Sequence, residues 1–163
     1  MPMKWQQRLA KRLSNIGVRR LIAAISIAVL LTGCAQKSPL ENLADGPCTG
    51  AQAELIDKHI SGQINALAKR DWKLAYSFAS PSFQAGIGVT DFSYTIVAQY
   101  SMLIENQSFR FNDCAIANTL ITQEVSVTSG GKVYDLTYKL SVNELKLGIE
   151  SASINKAGTK LST

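Results

Sequence analysis

Hydrophobic and polar positions after residue 48 first follow the 3.6-residue period of a helix. Thr49, followed three residues later by Gln52, forms a capping-box pattern. Polar and charged residues fill one helical face, whereas apolar residues recur on the other face at Ala53, Ile56, Ile60, Ile64 and Leu67. The pattern predicts a first helix over about residues 50–69.

Two further helices are predicted before the period changes. Asp71 can cap a short second helix that ends near Ala79, because the residue before Pro81 avoids the helical region. A glycine-containing turn at 86–88 follows. Thr90 or Asp91 can then cap a third helix, whose apolar stripe is Phe92, Ile96, Tyr100 and Leu103.

From about residue 107 the alternation has a period of two, which is typical of strands. Ser129-Gly130-Gly131-Lys132 predicts a two-residue hairpin, since consecutive glycines supply the positive φ angles of a primed turn. If Ser129 opposes Lys132, one face of the hairpin receives Ile121, Gln123, Val125 and Val127 opposite Leu140, Tyr138, Leu136 and Tyr134. Turn chemistry and alternation therefore predict the same register.

A strand near 108–114 and another at about 145–155 complete the predicted sheet. The predicted fold class is α+β, with three N-terminal helices packed on one face of a curved four-stranded antiparallel sheet. The domain is expected to span 49–155, and residues 156–163 are expected to form a frayed tail.

The first 33 residues carry the features of a bacterial lipoprotein signal peptide. Residues 1–20 are basic without an acid, and Leu21–Leu31 is apolar apart from Ser26 but short for a membrane-spanning helix. Leu31-Thr32-Gly33-Cys34 then resembles a lipobox, in which the cysteine thiol receives a diacylglycerol. We expect residues 1–33 to be a signal-peptide helix and Cys34 to be lipidated.

This leader predicts a lipid-anchored protein on the extracytoplasmic side of the bacterial cell membrane, with inner and outer membrane both left open. Residues 34–48, interrupted by Pro39 and Gly46-Pro47, are expected to form a flexible tether. The formal charge of +5 arises from the leader, because residues from Cys34 onward contain eleven Lys or Arg against twelve Asp or Glu. We therefore expect no nucleic-acid partner.

Two cysteines remain after Cys34. Cys48 and Cys114 are expected to form a disulfide in an exported protein, with free buried thiols as the alternative. These cysteines and the single His59 lack the spacing of a zinc site, so neither a metal nor a cofactor is predicted. We expect His59 to be a half-exposed surface residue, without a role as base or ligand.

Residues 60–100 resemble a known family. The run from Gln63, QINALAKRDWKLAYSFASPSFQ, with a Phe-led helix ending in Gln-Tyr, resembles the uncharacterised bacterial domain of unknown function 4864. The most specific part is the acid-started short helix running into Phe-Ala-Ser-Pro, at Asp71–Pro81. The resemblance implies an NTF2-like or cystatin-like cone fold, with helices against a bent sheet around a cavity. It implies no activity and no catalytic residues.

Gln123 and Tyr138 form the polar cross-strand pair on the inward face of the predicted hairpin. With Tyr134 and, from the second helix, Tyr76, they are candidate residues of a pocket for a small, mostly apolar ligand. Alternatively, these polar groups satisfy each other or bound water inside a packed core. No acid lies on this face and no nucleophile–base pair is visible, so no catalytic residue is predicted.

Three functional classes remain open from the sequence. The favoured one is an envelope lipoprotein that binds a small ligand or an envelope protein without catalysis. The others are a cone-fold enzyme of isomerase or hydrolase type, and a structural or assembly factor. The sequence does not determine the oligomeric state.

Overall fold

A computed structural model describes residues 37–155 as an α+β domain in which helices precede the four long strands of an antiparallel sheet. The helices are α1 (Gly50–Ala68), α2 (Trp72–Ser77), α3 (Pro81–Gly86), α4 (Val89–Gln99) and α5 (Ser101–Ile104). The strands are β1 (Gly46–Pro47), β2 (Ser108–Ala117), β3 (Leu120–Ser129), β4 (Lys132–Asn143) and β5 (Lys146–Ile154). The predicted signal peptide, Cys34 and the predicted frayed tail lie outside the described residues. Within the described range, no helix has the length and apolar character needed to cross a membrane.

Helix α1 begins as its sequence pattern predicts. The Thr49 side chain accepts a hydrogen bond from the Gln52 backbone N–H, and Gln52 Oε1 accepts one from the Thr49 N–H. The apolar stripe faces the sheet, and Ile56, Ile60 and Leu67 are fully buried. The predicted boundary of 50–69 differs from the observed one by a single residue.

The described residues contain five helices, whereas the sequence predicts three, and the additional ones lie between α1 and the sheet. Asp71 caps α2 as expected, but α2 ends at Ser77, and Ser80 then caps the unpredicted helix α3. A Ser-Pro pair both ends one helix and starts the next, because proline fits the first helical position. Helix α4 begins at Val89 after Gly88, so neither Thr90 nor Asp91 is its N-cap.

The sheet has five strands in the order β1-β2-β3-β4-β5, all neighbours antiparallel. The predicted β3–β4 register is confirmed at every pair, from Ser129 opposite Lys132 to Ile121 opposite Leu140. Gly130 and Gly131 have φ angles of 56° and 73°, as a primed turn requires. On the face toward the helices, Val125, Val127, Leu136 and Leu140 are among the fully buried side chains.

Two β-bulges bend the sheet. In β2, residues 112 and 113 lie opposite Glu124 alone, and in β5, Glu150 is the extra residue opposite Lys139 and Leu140. Burial alone would raise the pKa of Glu150, but hydrogen bonds from serines 141, 82 and 80 lower it overall. Next to this second bulge, the backbone around Ala79 forms an isolated parallel bridge with Ile149, which fixes the α2–α3 connection against β5.

The fifth strand, β1, lies in the segment predicted as a flexible tether. Gly46 and Pro47 pair with Ile116 and Ala115 of β2, and the short strand carries no alternation that could have predicted it. Leu40 is only 7% exposed. The ordered domain therefore begins near Ser38, about ten residues before the predicted start at 49.

Gln52 holds this N-terminal segment against α1. Its Nε2 donates to the backbone carbonyls of Pro39 and Asn42, at 3.1 and 2.9 Å. The same side chain thus completes the capping box and anchors the preceding chain. Cys48 and Cys114 form the predicted disulfide, with their Cα atoms 5.4 Å apart, and add a covalent link between this segment and β2.

His59 lies half-buried on α1 and contacts the end of α2. Its Nε2 is 2.9 Å from the Phe78 carbonyl oxygen, and its ring meets the Phe78 ring edge-on at 5.1 Å. Burial lowers the pKa of His59, and the hydrogen bond to Phe78 opposes that change only in part. The folded protein therefore favours the neutral imidazole.

We expect His59 to make the protein less stable as the pH falls. A histidine whose pKa is lowered by folding binds fewer protons when folded, so its contribution is present above about pH 6.5 and is lost as the pH falls through the folded pKa. Urea unfolding between about pH 7 and pH 5 measures this. His59→Gln should lose less free energy of unfolding over that window than the wild type. Asp57 and Glu150 also have shifted pKa values, but their effect is common to both proteins. Parallel pH profiles of the two proteins would contradict the assignment.

Candidate functional site

A cavity of about 170 Å³ separates the helices from the bent part of the sheet. We call it the helix–sheet cavity. It is lined by residues from α1, the α2–α3 and α3–α4 connections, α3, α4, the α4–α5 junction, α5, β4 and β5: Gln63, Ala79, Phe83, Ile87, Phe92, Thr95, Ile96, Tyr100, Leu103, Tyr138, Ile149, Ser151 and Ala152. Most of these side chains are apolar, and Ser151 at the edge is exposed to solvent.

The local folding of each element explains why a space remains at this position. The α4–α5 junction interrupts the helical stripe at Tyr100, whose φ of −127° is not helical, so Leu103 lies on a separate short helix. On the opposite side, the Glu150 bulge shifts β5 relative to β4 between Ile149 and Ser151. The helix break and the strand bulge thus both border the helix–sheet cavity.

Tyr138 is the most deeply buried polar residue of the cavity wall. Its side chain is fully buried, and its hydroxyl has no hydrogen-bond partner. Burial, and secondarily the neighbouring Tyr100, raise the pKa of Tyr138, so its phenol stays protonated at physiological pH. An unpartnered buried hydroxyl costs about 1–3 kcal/mol, which a bound hydrogen-bond acceptor would offset.

The two other large polar side chains of the wall are already held by backbone groups. The Tyr100 hydroxyl donates to the Ala152 carbonyl at 2.7 Å. Gln63 is buried, and its Nε2 lies 3.4 Å from the Ala75 carbonyl oxygen. Both groups are oriented by the fold, so Tyr138 carries the buried hydroxyl of the wall that has no partner.

The helix–sheet cavity contains no carboxylate, imidazole, thiol, ammonium or guanidinium among its described lining residues. General acid–base catalysis needs a group whose pKa is near the working pH, and a phenol with a raised pKa does not meet that need. Elsewhere in residues 37–155, no three His, Cys, Asp or Glu side chains are grouped so as to hold a metal ion. The arrangement is suited to binding by shape and one hydrogen bond.

Of the four predicted pocket residues, the structure places only Tyr138 in the cavity wall. Gln123 is buried, but its Nε2 donates to the carbonyls of Asn112 and Glu124, at 3.1 and 3.0 Å, and lies 3.4 Å from that of Asp113. These carbonyls surround the β2 bulge and hold the amide nitrogen of Gln123, whereas its Oε1 is buried without a partner. The register is as predicted, but the sequence gives no sign of the bulge.

The other two tyrosines are also occupied elsewhere. The Tyr76 hydroxyl donates to the Ile87 carbonyl at 2.7 Å and also lies 3.1 Å from that of Gln84, and it thereby fixes the end of α3. Its ring packs near Phe92, behind the cavity wall. Tyr134 is half-buried at the core margin, in a part of β4 that does not line the cavity.

Sequence reasoning missed Gln63 as a wall residue, although a signal was present. Gln63 lies three residues after Ile60 and four before Leu67, on the apolar face of α1, where a polar side chain is exceptional. Phe83 and Ile149 had no such signal, because α3 and the β5 bulge bring them to the cavity. The polar residue on the apolar stripe of α1 was the available sign that Gln63 lines a cavity.

The fold and site define an α+β domain with helices on one face of a bent antiparallel sheet and a small, largely apolar cavity between the two layers. The family model for Domain of unknown function (DUF4864) matches residues 49–158, which is most of the chain, and the protein belongs to this family. A search of curated proteins found no match.

Proposed function

We propose that this protein is a membrane-anchored envelope lipoprotein that binds a small, neutral, mostly apolar ligand in the helix–sheet cavity. The observation that carries the binding proposal is a largely apolar cavity whose wall includes Tyr138, a buried residue with an unpartnered hydroxyl. We also assign the domain to the NTF2-like cone architecture, because helices on a bulged, bent sheet around a cavity support that arrangement.

The size and polarity of the cavity limit the ligand. A space of about 150 Å³ accommodates a molecule the size of benzene, so 170 Å³ suits a ring of six or seven heavy atoms. The lining offers no cation to neutralise an anionic group, and burying an unpaired charge is costly. A neutral ring carrying one carbonyl or hydroxyl oxygen matches the phenol O–H of Tyr138.

The anchoring proposal depends on Cys34 and agrees with the disulfide. The Cys48–Cys114 bond is typical of proteins that fold outside the cytoplasm. Mass spectrometry of the protein isolated from bacterial membranes should find a diacylglyceryl group on Cys34 as the first residue. Cys34→Ser should abolish processing, and an intact Met1 in the wild-type protein would contradict the proposal.

Tyr138→Phe is expected to stabilise the empty protein and weaken binding. Removing an unpartnered buried hydroxyl should raise the free energy of unfolding by about 1 kcal/mol. Tyr100→Phe is the matched control and should lower it by a similar amount, since it removes the hydrogen bond to Ala152. Urea unfolding measures both changes, and a loss of stability in Tyr138→Phe would show that its hydroxyl is satisfied.

Two ligands of nearly equal shape test the binding role directly. Cyclohexanone has a carbonyl acceptor, whereas methylenecyclohexane has a CH₂ group in its place. Titration followed by the methyl NMR signals of Ile96, Leu103 and Ile149 should show that Tyr138→Phe weakens cyclohexanone binding about five-fold, as expected for one hydrogen bond. Binding of methylenecyclohexane should not change. If neither compound perturbs these methyl signals, the cavity is not a binding site.

A further inference from the structure

A second, shallower depression lies beside the first residues of the compact unit that starts at Ser38. It has a volume of about 750 Å³ and lies between the N-terminal segment, α1, the end of α2 and the β4–β5 turn. We call it the N-terminal groove, and its apolar lining consists of Leu40, Leu55, Phe78, Leu145 and Leu147. Unlike the helix–sheet cavity, it is formed in part by a residue at the tip of a turn.

Leu145 occupies that tip at a cost to the fold. Asn143 pairs with Lys146, so Glu144 and Leu145 form a two-residue turn, with φ angles of 50° and 60°. Such turns favour asparagine and glycine, whereas a leucine in the left-handed region is sterically disfavoured. Leu145 is also 51% exposed. The exposed leucine at the tip of this turn is available for a contact outside the domain.

The position of the groove relative to Cys34 indicates what that contact is. Ser38 lines the N-terminal groove, and four peptide units separate Ser38 from Cys34. At no more than about 3.5 Å per residue, the Cys34 α-carbon lies within about 14 Å of Ser38 at the edge of the groove. This distance is short because residues 38–48 belong to the compact domain. A flexible tether that continued through residue 48 would have allowed about 49 Å between Cys34 and the domain.

From these observations we infer that the β4–β5 turn is a membrane-contact site, at which Leu145 inserts into the lipid layer that holds the Cys34 anchor. The inference rests on the proposed lipidation of Cys34. Lys58 lines the groove, and the opposite charges of Glu144 and Lys146 flank Leu145 in the sequence, so the leucine provides the attraction at the tip of the turn. The lipid then fixes the domain in one orientation, with the β3–β4 turn directed away from the membrane.

Val133 provides a matched control position. It is 62% exposed and lies at the start of β4, whereas Leu145 follows the end of that strand. A nitroxide label is placed on Leu145→Cys or Val133→Cys in the full lipidated chain, in vesicles of phosphatidylethanolamine and phosphatidylglycerol. Collisions with oxygen, which concentrates in lipid, are compared with collisions with a water-soluble nickel chelate.

The expected result is a several-fold higher oxygen-to-nickel collision ratio at position 145 than at position 133. Equal, water-like ratios in vesicle-bound protein would overturn the membrane-contact site and leave lipid anchoring intact. If collisions with oxygen and with the nickel chelate both fall at position 145, a protein partner or a second copy covers the turn. That result would also overturn the membrane-contact site. If the parent chain takes up nitroxide at Cys34, the cysteine carries no lipid, and both the anchor and this contact are rejected.

Because the Leu145→Cys substitution could disturb the turn, a second measurement uses the wild-type chain. In the wild-type chain in nanodiscs, a gadolinium-bearing lipid should broaden the methyl NMR signals of Leu145 and not those of Val133. Equal broadening of the two residues, or none at either, would contradict the proposed orientation.

Discussion

Replacing both Cys48 and Cys114 with alanine is expected to lower the free energy of unfolding by about 4 kcal/mol. The disulfide spans 66 positions of sequence, and cross-linking a loop of that length removes much of the entropy of the unfolded chain. A loss of this size is a large fraction of the stability of an ordinary domain. It is the largest single effect that we expect in this protein.

The same replacement should loosen the start of the domain first. Without the disulfide, β1 is held to β2 by two residue pairs, together with the hydrogen bond from the Cys48 N–H to the Cys114 carbonyl. Hydrogen exchange should therefore increase at residues 46–48 at urea concentrations where β3 and β4 remain protected.

Urea unfolding of the wild-type and double-alanine proteins, with and without dithiothreitol, provides the test. The reductant should lower the wild-type midpoint to near that of the variant and leave the variant unchanged. The prediction is contradicted if dithiothreitol leaves the wild-type midpoint unchanged even when it is added to the unfolded protein. It is also contradicted if the double-alanine variant is as stable as the wild type.

Gly148→Ala should cause the second largest loss, about 2–3 kcal/mol. A β-carbon at position 148 would lie 2.6 Å from Ser80 Cα and 2.8 Å from Ser80 Cβ. The neighbouring backbone cannot easily move away, because Ser80 N–H donates to the Ile149 carbonyl and Ile149 N–H donates to that of Phe78, both at 2.9 Å. Overpacking at such a fixed contact strains the backbone.

Gly86→Ala is the control for this prediction. A β-carbon at Gly86 meets no atom within 4 Å, and Gly86 lies in helix α3. Alanine there should be neutral or should stabilise by up to about 1 kcal/mol. Urea unfolding compares the two variants, and equal stabilities would show that the α2–α3 connection is not held tightly against β5.

Gly148→Ala should also weaken ligand binding, although Gly148 does not line the helix–sheet cavity. Ala79 and Ile149 form part of that wall, and both belong to the bridge that the new β-carbon would push apart. The cyclohexanone titration should therefore show a weaker affinity in Gly148→Ala than in Gly86→Ala. The bridge thus links the packing of α3 to the shape of the site.

The hairpin and the first helix could be predicted because their information is local. The capping box at Thr49 needs only residues three apart, and the primed turn at Gly130-Gly131 fixes the register of two alternating strands. Helix α3 was missed although Ser80-Pro81 could have been interpreted as a start as well as an end. Strand β1 was missed because two residues carry no periodicity.

The candidate site could be predicted only at Tyr138. Alternation correctly assigned Gln123 and Tyr138 to one face, yet a face does not specify what each side chain meets. The β2 bulge provides carbonyls for Gln123, and the α3 end provides them for Tyr76, whereas the Tyr138 hydroxyl meets none. These partners come from backbone irregularities that depend on packing between distant segments.

The sequence by itself determined the capping and apolar face of α1, the β3–β4 register, the candidate disulfide pair and the lipobox pattern at Cys34. Only the tertiary structure decided that residues 38–48 belong to the compact domain, that α3 packs on β5 and that a cavity remains beside Tyr138. Capping, alternation and turn chemistry act between residues that are close in the sequence. A cavity, a bulge contact or an ordered terminus depends on how complete surfaces meet, so it arises only when the layers pack together.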